Sequence, residues 1–256
     1  MNVLWMLGGI ALGQVLAVVS GKGGAGKTSL CAGVAASLAA DGQRVLCIDA
    51  DVGLRNLDIS LGMTDVPAIP FTAVMRGEYD LSAAAKHPHH ANLFFLTAPV
   101  TEQPEDLDLR QFGAMLEQVR AQYDWCLIDA PAGVGAGFVL AVTYADQAMV
   151  VTGGDPASMR DGAKTAQFLN RISGAEAKIV VNRIRRKLFK RMRATVDDCM
   201  DAVGLPLLGI VPEDEEVTLA AARGDSLIYG SWKGAALACR HIAGRLQGKK
   251  QPLIRL

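Results

Sequence analysis

The chain has no excess of either charge: its 256 residues carry 26 Lys and Arg against 26 Asp and Glu. Capture of the whole protein by DNA or an acidic membrane is thereby excluded, although a local patch is not. It also lacks low-complexity sequence, an internal repeat and any Pro- or Ser-rich linker, so the length reads as a single large α/β domain. Paired cysteines are missing too. The five present (Cys31, Cys47, Cys126, Cys199 and Cys239) are scattered and never form a C-x-x-C pair, which is the usage of a reducing compartment. Cys47 and Cys126 lie inside apolar runs and read as small buried hydrophobes. No segment is long enough to span a membrane. Met1 to Gly13 is apolar, but it has no basic start and is interrupted by Gly8, Gly9 and Gly13. It reads as a short extension before the first strand, or a start placed too far upstream, rather than a signal peptide.

What is present is a strong alternation of two periodicities. Val15 to Val19 is continuously apolar, as a strand buried on both faces requires, and it stops at a glycine cluster. Ser29 to Ala40 has helix-forming composition and ends at Asp41-Gly42 before a second strand, Val45 to Ile48. Further strands are expected at Leu93 to Leu96, Trp125 to Ile128, Gln147 to Thr152, Lys178 to Val181 and Leu207 to Val211. Helices are expected at Leu109 to Tyr123, Ser158 to Asn170, Ala194 to Val203 and Ser231 to Gln247, the last with Ala235, Cys239, Ile242 and Leu246 on one face. Strands alternating with helices predict a doubly wound, mostly parallel sheet with helices on both faces. The expected division is a short apolar extension over 1–14, a P-loop domain over 15–247 and a short tail over 248–256.

Between the first strand and helix, Gly21-Lys22-Gly23-Gly24-Ala25-Gly26-Lys27-Thr28 fits G-x-x-x-x-G-K-[ST]. Glycines let the backbone curl so that successive N–H groups point at phosphate oxygens, and the helix N-terminus adds partial positive charge. Lys27 is placed to neutralise the β- and γ-phosphates, and Thr28 to offer its hydroxyl to Mg²⁺. Asp49-Ala50-Asp51 follows the second strand, at the sheet edge where ligands of open α/β folds bind. The two carboxylates read either as facing a metal or as capping the next helix. Trp125 to Asp129 is an apolar strand ending in an acid, the Walker B pattern, in which Asp129 would hold Mg²⁺ through water. No N-K-x-D tetrapeptide for reading guanine is present, which favours ATP.

The second lysine of the loop, Lys22, resembles the first lysine of the deviant Walker A motif K-G-G-x-G-K-[ST] of the MinD/ParA family of dimerising ATPases. Asp49 through Asp58 is similar to the MinD switch I pattern D-x-D-x-G-L-R-N-L-D, and Asp129-Ala130-Pro131-Ala132-Gly133 resembles switch II, D-S-P-A-G. Two departures stand out: Ala130 replaces the usual serine, and Gly135 stands where a glutamate is expected. Ser158-Met159-Arg160-Asp161 resembles the family's S-x-R-D helix start. Val180-Val181-Asn182-Arg183 is similar to its V-V-N-R strand end, and Ile210 to Asp214 to the segment closing the base pocket. The resemblance covers about Gly13 to Gln247.

This resemblance implies an ATPase that binds ATP and Mg²⁺ and forms an ATP-dependent homodimer, in which Lys22 reaches the partner's phosphates. It implies ATP contacts from Lys22, Gly23, Gly24, Ala25, Gly26, Lys27, Thr28 and Ser29, with Asn182 against adenine and Pro212 beside it. Thr28, Asp49 and Asp129 would serve the metal, and Asp51 would orient the attacking water. Asn56, Pro131 and Gly133 would lie in the switches near the dimer face. The implied role is placement of the division septum, with a MinC-like inhibitor and a hydrolysis-stimulating partner. Alternatives are DNA segregation in the manner of ParA, although the D-x-P-A-G form favours MinD, and flagellar placement. An iron–sulfur carrier predicts paired cysteines, which are absent.

Two segments bear on what the protein would touch. The end, Gly248 to Leu256, carries only Leu253, Ile254 and Leu256 as apolar residues after Pro252, too few for an amphipathic helix of several turns. Membrane association through the tail is therefore weakly supported, and the expected location is cytoplasmic or peripheral at the inner membrane face. Arg183, Arg185, Arg186, Lys187, Lys190, Arg191 and Arg193 are seven cations with no acid between them. Such a run reads as a solvated helix face or, more sharply, as a contact for DNA or anionic lipid. Phe189 is the only aromatic in it, so base stacking is not indicated.

Overall fold

The structure is a computed structural model that describes residues 12–52 and 54–254, so the expected extension over residues 1–11 lies outside the described residues. The strands are β1 (Gln14–Val19), β2 (Val45–Asp49), β3 (Ala85–Lys86), β4 (Leu93–Leu96), β5 (Trp125–Asp129), β6 (Gln147–Thr152), β7 (Glu176–Ile184) and β8 (Leu207–Pro212). They form one sheet in the order β3-β4-β2-β5-β1-β6-β7-β8. Every pairing is parallel except β3 with β4 at one edge. The doubly wound sheet expected from the alternation is thus present, with an antiparallel edge strand too short to show in the sequence pattern.

Helices α1 (Lys27–Ala40), α2 (Leu57–Leu61) and α10 (Gly234–Leu246) cover one face. Helices α3 (Phe71–Met75), α4 (Leu109–Gln122), α5 (Ala136–Thr143), α6 (Pro156–Ile172) and α8 (Val196–Val203) cover the other. Two short helices, α7 (Arg186–Arg191) and α9 (Glu216–Arg223), follow the ends of β7 and β8. Alternation along β1 divides the core: Val15, Ala17 and Val19 pack on the α4 side, while Leu16 and Val18 pack under α1. This two-sided burial is why β1 shows no polar alternation. All five cysteines are free and buried, as expected for Cys47 and Cys126.

Four helix starts differ from the expected ones, the first being α1, which begins at Lys27 rather than Ser29 directly after the Gly26 cap. Helix α6 begins at Pro156 because Asp155 caps it, its carboxylate accepting from the Ser158 N–H at 3.0 Å. Ser158 therefore lies inside the first turn. Thr195 and Asp198 form a capping box, so α8 starts at Val196 rather than Ala194. Helix α10 begins at Gly234, where the Asp214 carboxylate accepts from the Ala235 N–H at 2.8 Å.

The described part of the tail folds back onto the body. Arg245 donates to the carbonyls of Leu208, Gln251 and Pro252, and Lys249 pairs with Asp41 at 2.9 Å. Asp41 caps the end of α1 remote from the glycine loop, so the tail docks away from the site described next.

Candidate nucleotide and metal site

The loop between β1 and α1 is shaped by glycines at left-handed φ: Gly24 at 80° and Gly26 at 83°. At Gly26, which caps α1, a Cβ would lie 2.4 Å from Asn182 Nδ2, so both the backbone angle and the space require glycine. The loop's two lysines have opposite surroundings. Lys22 is exposed, whereas Lys27 is buried with its Nζ 2.6 Å from Asp129 Oδ1. Thr28 is half-buried, its Oγ1 3.5 Å from the Lys27 ammonium, and Ser29 follows it on the first turn of α1.

Strand register assembles the acids. Asp49 and Asp129 are direct partners across β2 and β5, and both are buried. Burial, and then the Asp129 charge, push the Asp49 carboxyl up to about 7. Burial raises Asp129 as well, against the pull of Lys27. Asp49 also organises its own loop, accepting from the Asp51 N–H at 2.9 Å and from the Leu57 N–H at 3.2 Å. The helix-capping alternative is thus realised for Asp49, whose carboxylate satisfies the first N–H of α2. Asp51 is half-buried beside it, and Asn56 is exposed at the start of α2.

The segment after β5 is drawn to the same place. Ala130 N–H donates to Val18 O at 3.1 Å, and Gly133 N–H to Ser20 O at 3.0 Å, which sets Pro131 and Gly133 against the base of the loop. Thr28, Asp49 and Asp129 give a hydroxyl and two carboxylates in one buried corner. This all-oxygen donor set suits Mg²⁺, and the repulsion from Asp129, which adds to burial in raising Asp49, is what a divalent cation would relieve.

Two clefts flank the loop. One of about 530 Å³ is lined by Gly26, Ser29, Asn182, Pro212, Val217 and Leu227, the place expected for a base. The other, about 300 Å³, lies between Lys22 and the Asp155, Leu188 and Met192 side chains. Asn182, Arg183, Arg185 and Glu213 line both and divide them. Asn182, expected against adenine, borders the base cleft but donates through Nδ2 to Ala25 O at 2.8 Å.

The sequence reading missed the connections across this partition. Arg183 donates to Gly24 O at 3.0 Å and pairs with Glu213, and Arg185 grips the same carboxylate through two nitrogens. No acid lies within the cationic run, yet Glu213 arrives from the end of β8 about 30 residues later. Arg183 and Arg185 therefore belong to the cleft wall. Arg186, Lys187, Lys190, Arg191 and Arg193 remain exposed on and after α7. Those five are the patch that faces outward.

Comparison with known proteins gives the family. A family model described as the CobQ/CobB/MinD/ParA nucleotide binding domain matches residues 16–228. The septum site-determining protein MinD of Synechocystis sp. is 33% identical over 248 residues, which are 95% of this chain and 92% of that protein. In the MinC:MinD cell division protein complex of Aquifex aeolicus, a chain with 33% identity superposes at a TM-score of 0.86, covering 94% of this chain and 98% of that one. MinD of Pyrococcus horikoshii, solved with Mg-ADP, is 27% identical with a TM-score of 0.79 over 92% of this chain and 96% of that one. With a family model matched over residues 16–228 and a MinD relative 33% identical over 95% of this chain, the chain belongs to the MinD family of P-loop ATPases.

Proposed function

We propose that this MinD-type ATPase is an ATP-dependent dimerising switch that positions the division septum. The observation that carries this reading is the contrast between the two loop lysines: Lys27 is buried on Asp129, and Lys22 is exposed on the same loop. A cation needed only for its own nucleotide has no reason to face outward. Lys22 is instead available to the triphosphate of a second copy.

The proposed cycle uses this chain's own groups. Lys27 and the N–H groups of Gly23, Gly24, Ala25 and Gly26 hold the phosphates, while Thr28 and Ser29 sit where the first turn of α1 meets them. Thr28, Asp49 and Asp129 would hold Mg²⁺, which when bound would supply charge neutralisation to the phosphates. Asp51 orients a water in line with the γ-phosphorus; the P–O bond to ADP breaks as the water oxygen bonds, giving ADP and phosphate. Asn56, Pro131 and Gly133 form the switch surface that changes with the γ-phosphate. The ATPase unit is taken as 15–247, with the 248–256 tail an accessory to it.

The partners proposed are a MinC-like inhibitor on the dimer and a protein that stimulates hydrolysis, with the chain cytoplasmic or at the inner membrane face. The five exposed cations on and after α7 support a further contact with a phosphate-bearing surface, either anionic lipid or DNA. Among the described residues no helix is long and apolar enough to cross a membrane. The deciding experiment is the mass of the Asp51→Ala protein in solution with Mg·ATP and with Mg·ADP. A dimer with ATP and a monomer with ADP are expected; a monomer with both rejects the switch.

A further inference from the structure

We infer that Arg183 is a positioning residue for nucleotide binding, held in a strained backbone so that its guanidinium can orient the crown of the P-loop. The inference rests on the ATP-binding reading and adds a residue to it. Arg183 is one of only three non-glycine residues with positive φ among the described residues, at 57°. An arginine gains nothing there by itself, since the left-handed region crowds its Cβ, and glycine would adopt the angle freely.

The strain has a local origin. Between β7 and β8, Val181 is opposite Ile210 and Ile184 is opposite Pro212, so Asn182 and Arg183 together face the single residue Val211. This is a β-bulge, a device that re-aims side chains beside active sites. Here it turns two consecutive side chains onto consecutive loop carbonyls: Asn182 Nδ2 donates to Ala25 O at 2.8 Å, and Arg183 Nη1 to Gly24 O at 3.0 Å.

In a planar trans peptide the C=O and the following N–H point in opposite directions. Holding the Gly24 carbonyl toward Arg183 therefore aims the Ala25 N–H to the other side of the loop, and holding the Ala25 carbonyl toward Asn182 aims the Gly26 N–H likewise. These are the N–H groups a P-loop turns toward phosphate. Arg183 sets one donor before the ligand arrives, which lowers the ordering cost of binding. Its second nitrogen pairs with Glu213, whose carboxylate is also held by Arg185. Because these residues line both clefts, the base cleft and the loop bearing Lys22 share one wall.

The test is calorimetric titration of the full chain with Mg·ATP and Mg·ADP, paired with thermal unfolding without nucleotide. Arg183→Gly suits the backbone angle while removing the guanidinium. It is expected to bind both nucleotides about tenfold more weakly, the scale of one lost charge-assisted hydrogen bond, with an unfolding midpoint unchanged or raised. Arg183→Lys keeps the charge but cannot span both acceptors, and is expected to fall between the two. A purely structural arginine gives the reverse: a lowered midpoint with unchanged affinity. Affinity within about twofold of the parent in Arg183→Gly overturns the inference; if that variant fails to fold, unchanged affinity in Arg183→Lys does the same. Failure of the parent itself to bind Mg·ATP would instead remove the ATPase reading on which the inference stands.

Discussion

Lys27 and Asp129, 102 residues apart in sequence, meet in a buried ion pair of 2.6 Å at the point where the P-loop helix starts and the central strand β5 ends. The proposed phosphate-binding cation and a proposed metal ligand thus hold each other in place. Each is kept in the corner by the other's charge, at the C-terminal edge of the sheet where Asp49 is also buried.

Removing Lys27 has two effects that are measured separately. Lys27→Ala is expected to abolish ATP binding, since no other buried cation serves the loop among the described residues. It is also expected to lower the unfolding free energy by about 3 kcal/mol, the scale for leaving a buried charge without its partner. Adding Asp129→Asn should recover most of that stability without restoring ATP binding. Denaturant unfolding of the two singles and the double gives the coupling energy; equal losses in Lys27→Ala and in the double would show that the pair contributes no stability.

Lys22→Ala separates binding from turnover. The side chain is exposed, so its loss leaves the chain's own phosphate contacts intact and the unfolding midpoint unchanged. Nucleotide affinity is expected to stay close to the parent's, while dimerisation with ATP disappears and the hydrolysis rate falls by about 100-fold or more, as for other cations supplied in trans. Light scattering and phosphate release check this. A variant that dimerises and hydrolyses like the parent removes Lys22 from the mechanism.

The five exposed cations give a third expectation. Replacing Arg186, Lys187, Lys190 and Arg191 with glutamine should abolish pelleting with anionic vesicles or with DNA at low salt and leave Mg·ATP binding unaltered. In the parent the association should weaken steeply with salt, because each neutralised phosphate releases counterions. Pelleting by lipid alone, by DNA alone, or by both identifies the surface; pelleting by neither leaves α7 a solvated helix.

How much of this was legible in the sequence follows from which forces were local. The apolar run before Gly21, the loop pattern and the strand ending at Asp129 carry their meaning within a few residues, and the structure places them as read. Helix α7 was hidden inside a run of cations because a six-residue helix has too few turns to show a period. The Glu213 grip on Arg183 and Arg185 was invisible for another reason: it depends on β7 and β8 being neighbours and on a bulge that no local pattern announces. Asp49 was ambiguous in the sequence because facing a metal and capping a helix ask for the same carboxylate, and in the structure it caps α2 from inside the proposed metal corner.

His90 was not singled out by any motif, yet it sets an acid limit on the fold. Its ring is buried, stacks on Tyr229 with centroids 4.4 Å apart, and leaves Nε2 without a hydrogen-bond partner among the described residues. Burial, followed by the charges of His87, His89 and Arg240, pushes its pKa down to about 4. The unfolded chain takes up this proton near the ordinary histidine value of about 6.5, so it binds the proton more tightly than the folded protein does. The stability this histidine contributes is therefore complete above about pH 6.5 and is lost as the pH falls toward 4, by about 3 kcal/mol. His90→Phe keeps an aromatic ring against Tyr229 and cannot be protonated. Urea unfolding at pH 7, 5.5 and 4.5 should show the variant losing less stability than the parent by about that amount; parallel losses in the two proteins would place the acid sensitivity elsewhere.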